Sequence, residues 1–259
     1  MKTKLLEYAK KVAETHQVSL IYLTMDGSHV SGLRNPKGDV DVIGVFVSDR
    51  ITSTYFRDKT QLLIDEQGHA RGVDIVLYNI HYVMDLVKQQ QLFGYRYFAN
   101  TDNVILPCPR LTNQIPKLYK HEAAVNSMMS FLWREIKELE GNLEREEERY
   151  LYKQARYITQ DICAISQYIQ TGKVKAFTYR NYLPIKMSLP FRLLVLKRLR
   201  CYDCLLSTNE LRLVLYEFHR MQLDAQQKWR VNEMVPYPEI ESLTRELVSK
   251  YTNNKEKKK

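Results

Sequence analysis

The sequence predicts a mixed α/β (α+β) module followed by a helical one, and three observations carry that expectation. Short β-rich runs recur between turn signals over residues 18–106, helical periods flank those runs, and long apolar periods take over from about Lys117. The expected strands are Val18–Thr24, Val40–Val47, Gln61–Ile64, Val73–Tyr78 and Val104–Leu106. Gly27, Gly32, Pro36, Gly38, Gly68 and Pro107 punctuate them where turns belong. Helical patterns at Thr3–Glu14 and Ile80–Gln91 make this half mixed rather than all-β.

In the second half, Leu151, Ala155, Ile158, Ile162, Ile165 and Ile169 recur at three- and four-residue steps, the apolar stripe of an amphipathic helix. Its opposite face carries Arg149, Lys153, Arg156 and Gln160. Further helices are expected at Leu118–Glu140, Phe191–Leu199, Asn209–Trp229 and Pro238–Tyr251, with the surroundings of Pro184 and Pro190 breaking the pattern. No internal repeat is visible. The domain expectation is a first module over residues 1–110, a helical module over 111–254 and a basic tail over 255–259.

The balance of 44% hydrophobic, 27% charged and 11% aromatic residues in 259 is that of a globular protein with a substantial core. No run approaches the roughly 20 apolar residues that a membrane-spanning helix needs, and residues 1–14 alternate Lys and Glu with apolar residues, unlike a secretory signal. A cytoplasmic protein is the expectation. Four cysteines are too few for a disulfide scaffold. Cys201 and Cys204 form a close pair, but no second Cys or His pair completes a zinc site. The net charge of +9 points to an anionic partner. It is spread along the chain, since the tail holds only four lysines against one glutamate.

The densest chemical signal runs from Gly27-Ser28 through Gly32, Pro36 and Gly38 to Asp39-Val40-Asp41. Side chains alternate along a strand, so Asp39 and Asp41 share one face. Two like charges so close are unfavourable unless a cation lies between them, which suits a hard, oxygen-seeking ion such as Mg²⁺. A glycine and a small hydroxyl at the end of the preceding strand can offer backbone N–H groups and the Ser28 hydroxyl to phosphate oxygens. Asp26, immediately before that corner, would repel a triphosphate unless turned away or bound to metal. Downstream, Asp74 faces opposite to Val73, Ile75 and Leu77 on an apolar strand. If that strand lies beside the Asp39/Asp41 strand, three carboxylates converge, with Asp74 free to bind an ion and draw a proton from an attacking hydroxyl. Asp65 and Glu66 compete for this third position.

Gly27-Ser28, the Gly32-Leu33 step, Pro36, Asp39-x-Asp41 and the following Gly44-Val45-Phe46 resemble the signature of predicted nucleotidyltransferases of the DNA polymerase β-like superfamily, bacterial and phage members most of all. The likeness spans roughly residues 18–100. It implies a nucleotidyltransferase-like mixed sheet with flanking helices, and transfer of a nucleoside monophosphate from an NTP to an acceptor hydroxyl with release of pyrophosphate. By position, Gly27 and Ser28 would hold the triphosphate, Asp39, Asp41 and Asp74 would be the catalytic and metal-binding acids, and Mg²⁺ or Mn²⁺ would be the cofactor. Related enzymes often set a basic helix of the second module over the nucleotide, which nominates Lys153 and Arg156. RNA, a tRNA end in particular, is the favoured acceptor on charge.

Two other readings stay open: a non-catalytic RNA- or partner-binding protein on a degenerate transferase fold, and a nuclease. The second rests on Arg212 and His219, seven residues apart on one helix face, a spacing similar to that of HEPN-type RNases. His29 reads as a residue at the cleft rim. The P-loop, dinucleotide-binding, nucleophile-elbow and zincin motifs are absent from the sequence.

Overall fold

The computed structural model describes residues 1–27, 30, 38–48, 53–64, 68, 70–99, 101–145, 147–174, 209–210, 212–213, 215–216, 219–220 and 237–256. It divides into two compact units. The first comprises residues 1–89, 93–119 and 235–259, the second 90–92 and 120–234.

In the first unit, helix α1 (Lys2–Thr15) buries Leu5, Ala9, Val12 and Ala13, the stripe that a 3.6-residue period allows. The chain turns through Gln17, at φ 55°, into strand β1 (Ser19–Asp26). Strands β2 (Val40–Val47), β3 (Tyr55–Ile64) and β4 (Ala70–Asn79) follow. Asn79 accepts a hydrogen bond from the His81 amide at 3.0 Å and so caps α2 (Ile80–Lys88). Helix α3 (Leu92–Ala99), strand β5 (Val104–Leu106), the short helix α4 (Pro109–Gln114) and a 3₁₀ turn (Ile115–Leu118) complete the run.

The sheet is mixed, in the order β3-β4-β2-β1-β5. β2 and β4 are parallel, while the β1–β2, β1–β5 and β3–β4 pairs are antiparallel. One face packs on α1: Leu23 and Met25 of β1, Val40, Val42 and Phe46 of β2, and Val73, Ile75 and Leu77 of β4 form the core with the α1 stripe. Each such side chain contributes roughly 1.5–3 kcal/mol by leaving water. The alternation that sends these residues inward sends Asp26, Asp41 and Asp74 to the opposite face. Helix α2 packs against β2 and β4.

The second unit carries α5 (His121–Asn142) and α6 (Glu148–Thr171), which pack on one another. α5 buries Ala124, Val125, Met128, Leu132, Ile136 and Leu139. α6 buries the expected stripe at Leu151, Ala155, Ile158, Ile162 and Ile165.

The expected mixed sheet with flanking helices and a helical region after it is therefore observed. Beyond shifts of a few residues at element ends, three differences stand out. β3 begins at Tyr55, six residues before the expected start, because it is an edge strand whose exposed side chains blur the apolar alternation. The period expected over Ile80–Gln91 ends at Lys88, and a separate α3 starts at Leu92. The C-terminal helix α7 (Tyr237–Glu256) belongs to the first unit, packing on α2, β1 and β2. Sequence order grouped that helix with the helical half. Burial of Ile240, Leu243 and Leu247 places it against the sheet module instead. The expected helix at Phe191–Leu199 lies outside the described residues. No helix among the described residues is long and apolar enough to cross a membrane.

Candidate functional site

β1 and β4 flank β2, and the register brings three aspartates into one row. Asp26 on β1 pairs with Asp41 on β2, and Asp41 pairs with Asp74 on β4. All three lie on the face away from α1. Asp39, one residue before β2 and two before Asp41, adds an exposed carboxylate beside the row.

Two glycines make room for the β2 acids. A Cβ on Gly27 would stand 2.7 Å from Cγ of Asp41, and Gly27 has φ +70°, a conformation that glycine adopts without steric cost. A Cβ on Gly72 would stand 3.0 Å from Cγ of Asp39. Each carboxylate thus lies directly over a backbone segment that lacks a side chain.

Asp74 sits in a different environment. The sequence reading has it free, whereas in the structure Arg57 holds both its oxygens, through Nε at 2.9 Å and Nη2 at 2.6 Å, and Lys59 Nζ lies 3.1 Å from Oδ2. The Arg57 hydrogen bonds, aided by Lys59, hold the Asp74 carboxyl below the usual aspartate range against the opposing effect of burial. Its side chain is 10% exposed, whereas those of Arg57 and Lys59 are half exposed. The sequence carried a signal for this pair of cations: Arg57 and Lys59 are two residues apart on an extended run, hence on one face. Only the β3–β4 pairing shows that the face is that of Asp74.

Asp26, next in sequence to Gly27, has its carboxylate held from α3. Tyr97 on α3 donates its hydroxyl to Oδ2 at 2.6 Å, and Arg96 Nη2 lies 3.4 Å from Oδ1. Burial first, then the Asp26 charge, pushes the Tyr97 phenol well up, so it remains a donor. Tyr97 also anchors β1 a second time, its backbone oxygen accepting from the Tyr22 hydroxyl at 2.6 Å. Neither Tyr97 nor Arg96 stands out in the sequence, because they lie on a helix that starts at Leu92, past the expected Ile80–Gln91 period, and is not itself expected.

Ser28, His29, Asp65 and Glu66 lie outside the described residues, as do Cys201 and Cys204. Lys153 is exposed on α6, and of Arg156 the structure describes only its helical backbone. Arg212 is paired with Glu144 and lies 3.4 Å from Asn209 Oδ1, and His219 Nε2 lies 3.8 Å from Glu140. Both members of the nuclease-like spacing are thereby engaged with α5 and the turn after it.

Among the described residues, no three His, Cys, Asp or Glu side chains form a group that could hold a metal. Asp39 and Asp41 nevertheless suit a hard cation: they are two oxygen donors on one face, each over a side-chain-free stretch of backbone. Asp74, with both oxygens given to cations, supplies no third ligand in this arrangement.

Comparison with known proteins agrees with the module so described. Residues 1–91 match the model of RlaP, the RNA repair pathway DNA polymerase beta family. The likeness to DNA polymerase β-like nucleotidyltransferases therefore holds over the segment that carries Gly27, Asp39, Asp41 and Asp74. Among solved structures, the chain is similar to a nucleotidyltransferase-like protein from Exiguobacterium sibiricum 255-15, at 10% identity over 83% of this chain and 73% of that one, with a TM-score of 0.32. No curated protein matches the sequence.

Proposed function

We propose that the protein is a nucleotidyltransferase that moves a nucleoside monophosphate from an NTP to an acceptor hydroxyl. The observation that carries the reading is the placement of Asp39, just before β2, and Asp41, on β2, over Gly72 and Gly27, inside the segment that matches the polymerase β-type family. Asp39 and Asp41 would hold Mg²⁺ or Mn²⁺. When bound, such an ion supplies positive charge to the triphosphate and lowers the pKa of an attacking hydroxyl. The Gly27 corner, packed under the Asp41 carboxylate, would offer phosphate oxygens its backbone N–H groups, with Ser28 next to it in sequence as a hydroxyl donor. Tyr97 and Arg96 hold the Asp26 carboxylate beside that corner, and the Arg96 cation offsets part of its charge. Asp74 is the third acid, and it serves as a base only once Arg57 and Lys59 give up its oxygens. An incoming polyphosphate is the natural competitor for those two half-exposed cations. Lys153 and Arg156 of the second unit are further candidates for nucleotide binding. RNA, a tRNA end in particular, is the acceptor we favour, on the net charge of +9 and on the RNA repair pathway named in the matched family's description.

The test is label transfer from each α-³²P-labelled NTP with Mg²⁺, offered total RNA and cell extract, beside Asp39→Ala and Asp41→Ala. Label moving to a macromolecule only with wild type and metal supports the reading, and an RNase-sensitive product assigns the acceptor. The second reading is a protein that binds nucleotide or RNA without turnover. The cation-locked Asp74 favours it, and nucleotide binding with no label moved under any condition would establish it.

A further inference from the structure

We propose that the outer face of α6 binds an unpaired nucleic-acid strand, stacking bases on Tyr150 and Tyr157 with Lys153 between them on the phosphate backbone. The three residues follow at steps of three and four, so they share one face of the helix. Tyr150 is 46% exposed and Tyr157 44%, and Lys153 is exposed with Nζ 5.9 Å from the Tyr157 ring centroid. The buried stripe of this helix, Leu151, Ala155 and Ile158, lies on another face. Seven residues separate the rings by about 10 Å along the axis, a span that successive unpaired nucleotides can cover. Helical positions 149 and 156, both arginine in the sequence, lie on the same arc as Lys153.

The chemistry selects the partner. Lysine is depleted from the cores of protein–protein interfaces, where two exposed tyrosines alone would be at home. Rings interleaved with cations are instead the pattern of single-strand binding, in which aromatic faces take bases and cations track phosphates. A duplex hides its base faces, so it could use only the cations. Binding is read without NTP or metal, and it stands or falls separately from transfer.

The experiment is fluorescence anisotropy of a short labelled oligo(rU) and oligo(dT), with a hairpin duplex of equal charge as competitor, using the full chain. Tyr150→Ala/Tyr157→Ala should weaken strand binding about tenfold or more, and Tyr150→Phe/Tyr157→Phe should retain it, because the ring and not the hydroxyl stacks. Lys153→Gln, a surface change that spares both rings, should lower the slope of log affinity against log salt by about 0.7. A preference for oligo(rU) would assign RNA, and equal binding of both oligomers would assign single strands of either sugar. The proposal is overturned if wild type binds neither oligomer, which would leave the face to a protein partner, or if the hairpin competes as well as a strand. It is equally overturned if an alanine variant with an unchanged melting temperature binds like wild type. Should the double alanine variant fail to fold, the phenylalanine pair and the salt slope of Lys153→Gln decide: loss of binding in the former or an unchanged slope in the latter overturns it.

Discussion

Arg57 grips Asp74 with two parallel hydrogen bonds, Nε to Oδ1 and Nη2 to Oδ2, from the neighbouring edge strand. The carboxylate is nearly buried and the guanidinium half in water. Removing the cation leaves a desolvated charge that Lys59 compensates in part. Arg57→Ala should destabilise the protein by about 1–2 kcal/mol, below the cost of breaking a fully buried pair because solvent screens the arginine. Urea denaturation at neutral pH measures it.

Acid should expose the same interaction. Asp74 is held below its ordinary value by Arg57, and Asp58 is held below its own against burial, by the Thr60 hydroxyl and amide, each 2.7 Å from Oδ1. A carboxylate depressed on folding contributes stability above its unfolded value, and loses it as pH falls through the folded one. Thermal stability should therefore hold down to about pH 4, the ordinary aspartate value, and fall below it. Asp74→Asn should flatten part of that fall in melting curves recorded across the acid range.

Gly72 and Gly27 are predicted to be intolerant of alanine for separate reasons. Gly72→Ala would push Asp39 aside with little backbone strain, so transfer should drop by up to about a hundredfold while the melting temperature moves little. Gly27→Ala would displace Asp41 and also force a left-handed conformation, adding about 1–2 kcal/mol of destabilisation. Transfer assays paired with thermal melts separate the two outcomes.

Tyr97→Phe removes the hydroxyl that Asp26 depends on. An oxygen stranded on a largely buried carboxylate costs about 1–2 kcal/mol, and denaturation of the purified variant should show it. Arg96→Ala should cost less, since its contact is long at 3.4 Å.

Strands β2 and β5 were legible in the sequence to the residue, since both are short β-branched runs closed by turn signals. Asp39 and Asp41 were legible as a pair because strand alternation is a local rule. The facing of Asp74 was equally local. Its partners were not, because Arg57 and Lys59 meet it across a strand boundary whose β3 side carries exposed Leu62 and Ile64 and so shows little apolar alternation. Tyr97 was not legible because α3, a helix of eight residues past the end of the expected Ile80–Gln91 helix, is too short to show a clear period of its own.

The sequence by itself determined the succession of the five strands, the Asp39/Asp41 pair at β2, the facing of Asp74 and the buried stripe of α6, all of which follow from periods of two and 3.6 residues along one chain. The tertiary structure alone decided that β4 lies parallel to β2, that Asp26, Asp41 and Asp74 form a row, and that Asp26 and Asp74 are each held by cations from other elements. It also decided that α7 returns to the sheet module. The physical reason is common to these cases. Periodicity reports which way a side chain points, but charge pairing and register depend on which segments distant in sequence become neighbours, and that is settled only when the apolar faces pack.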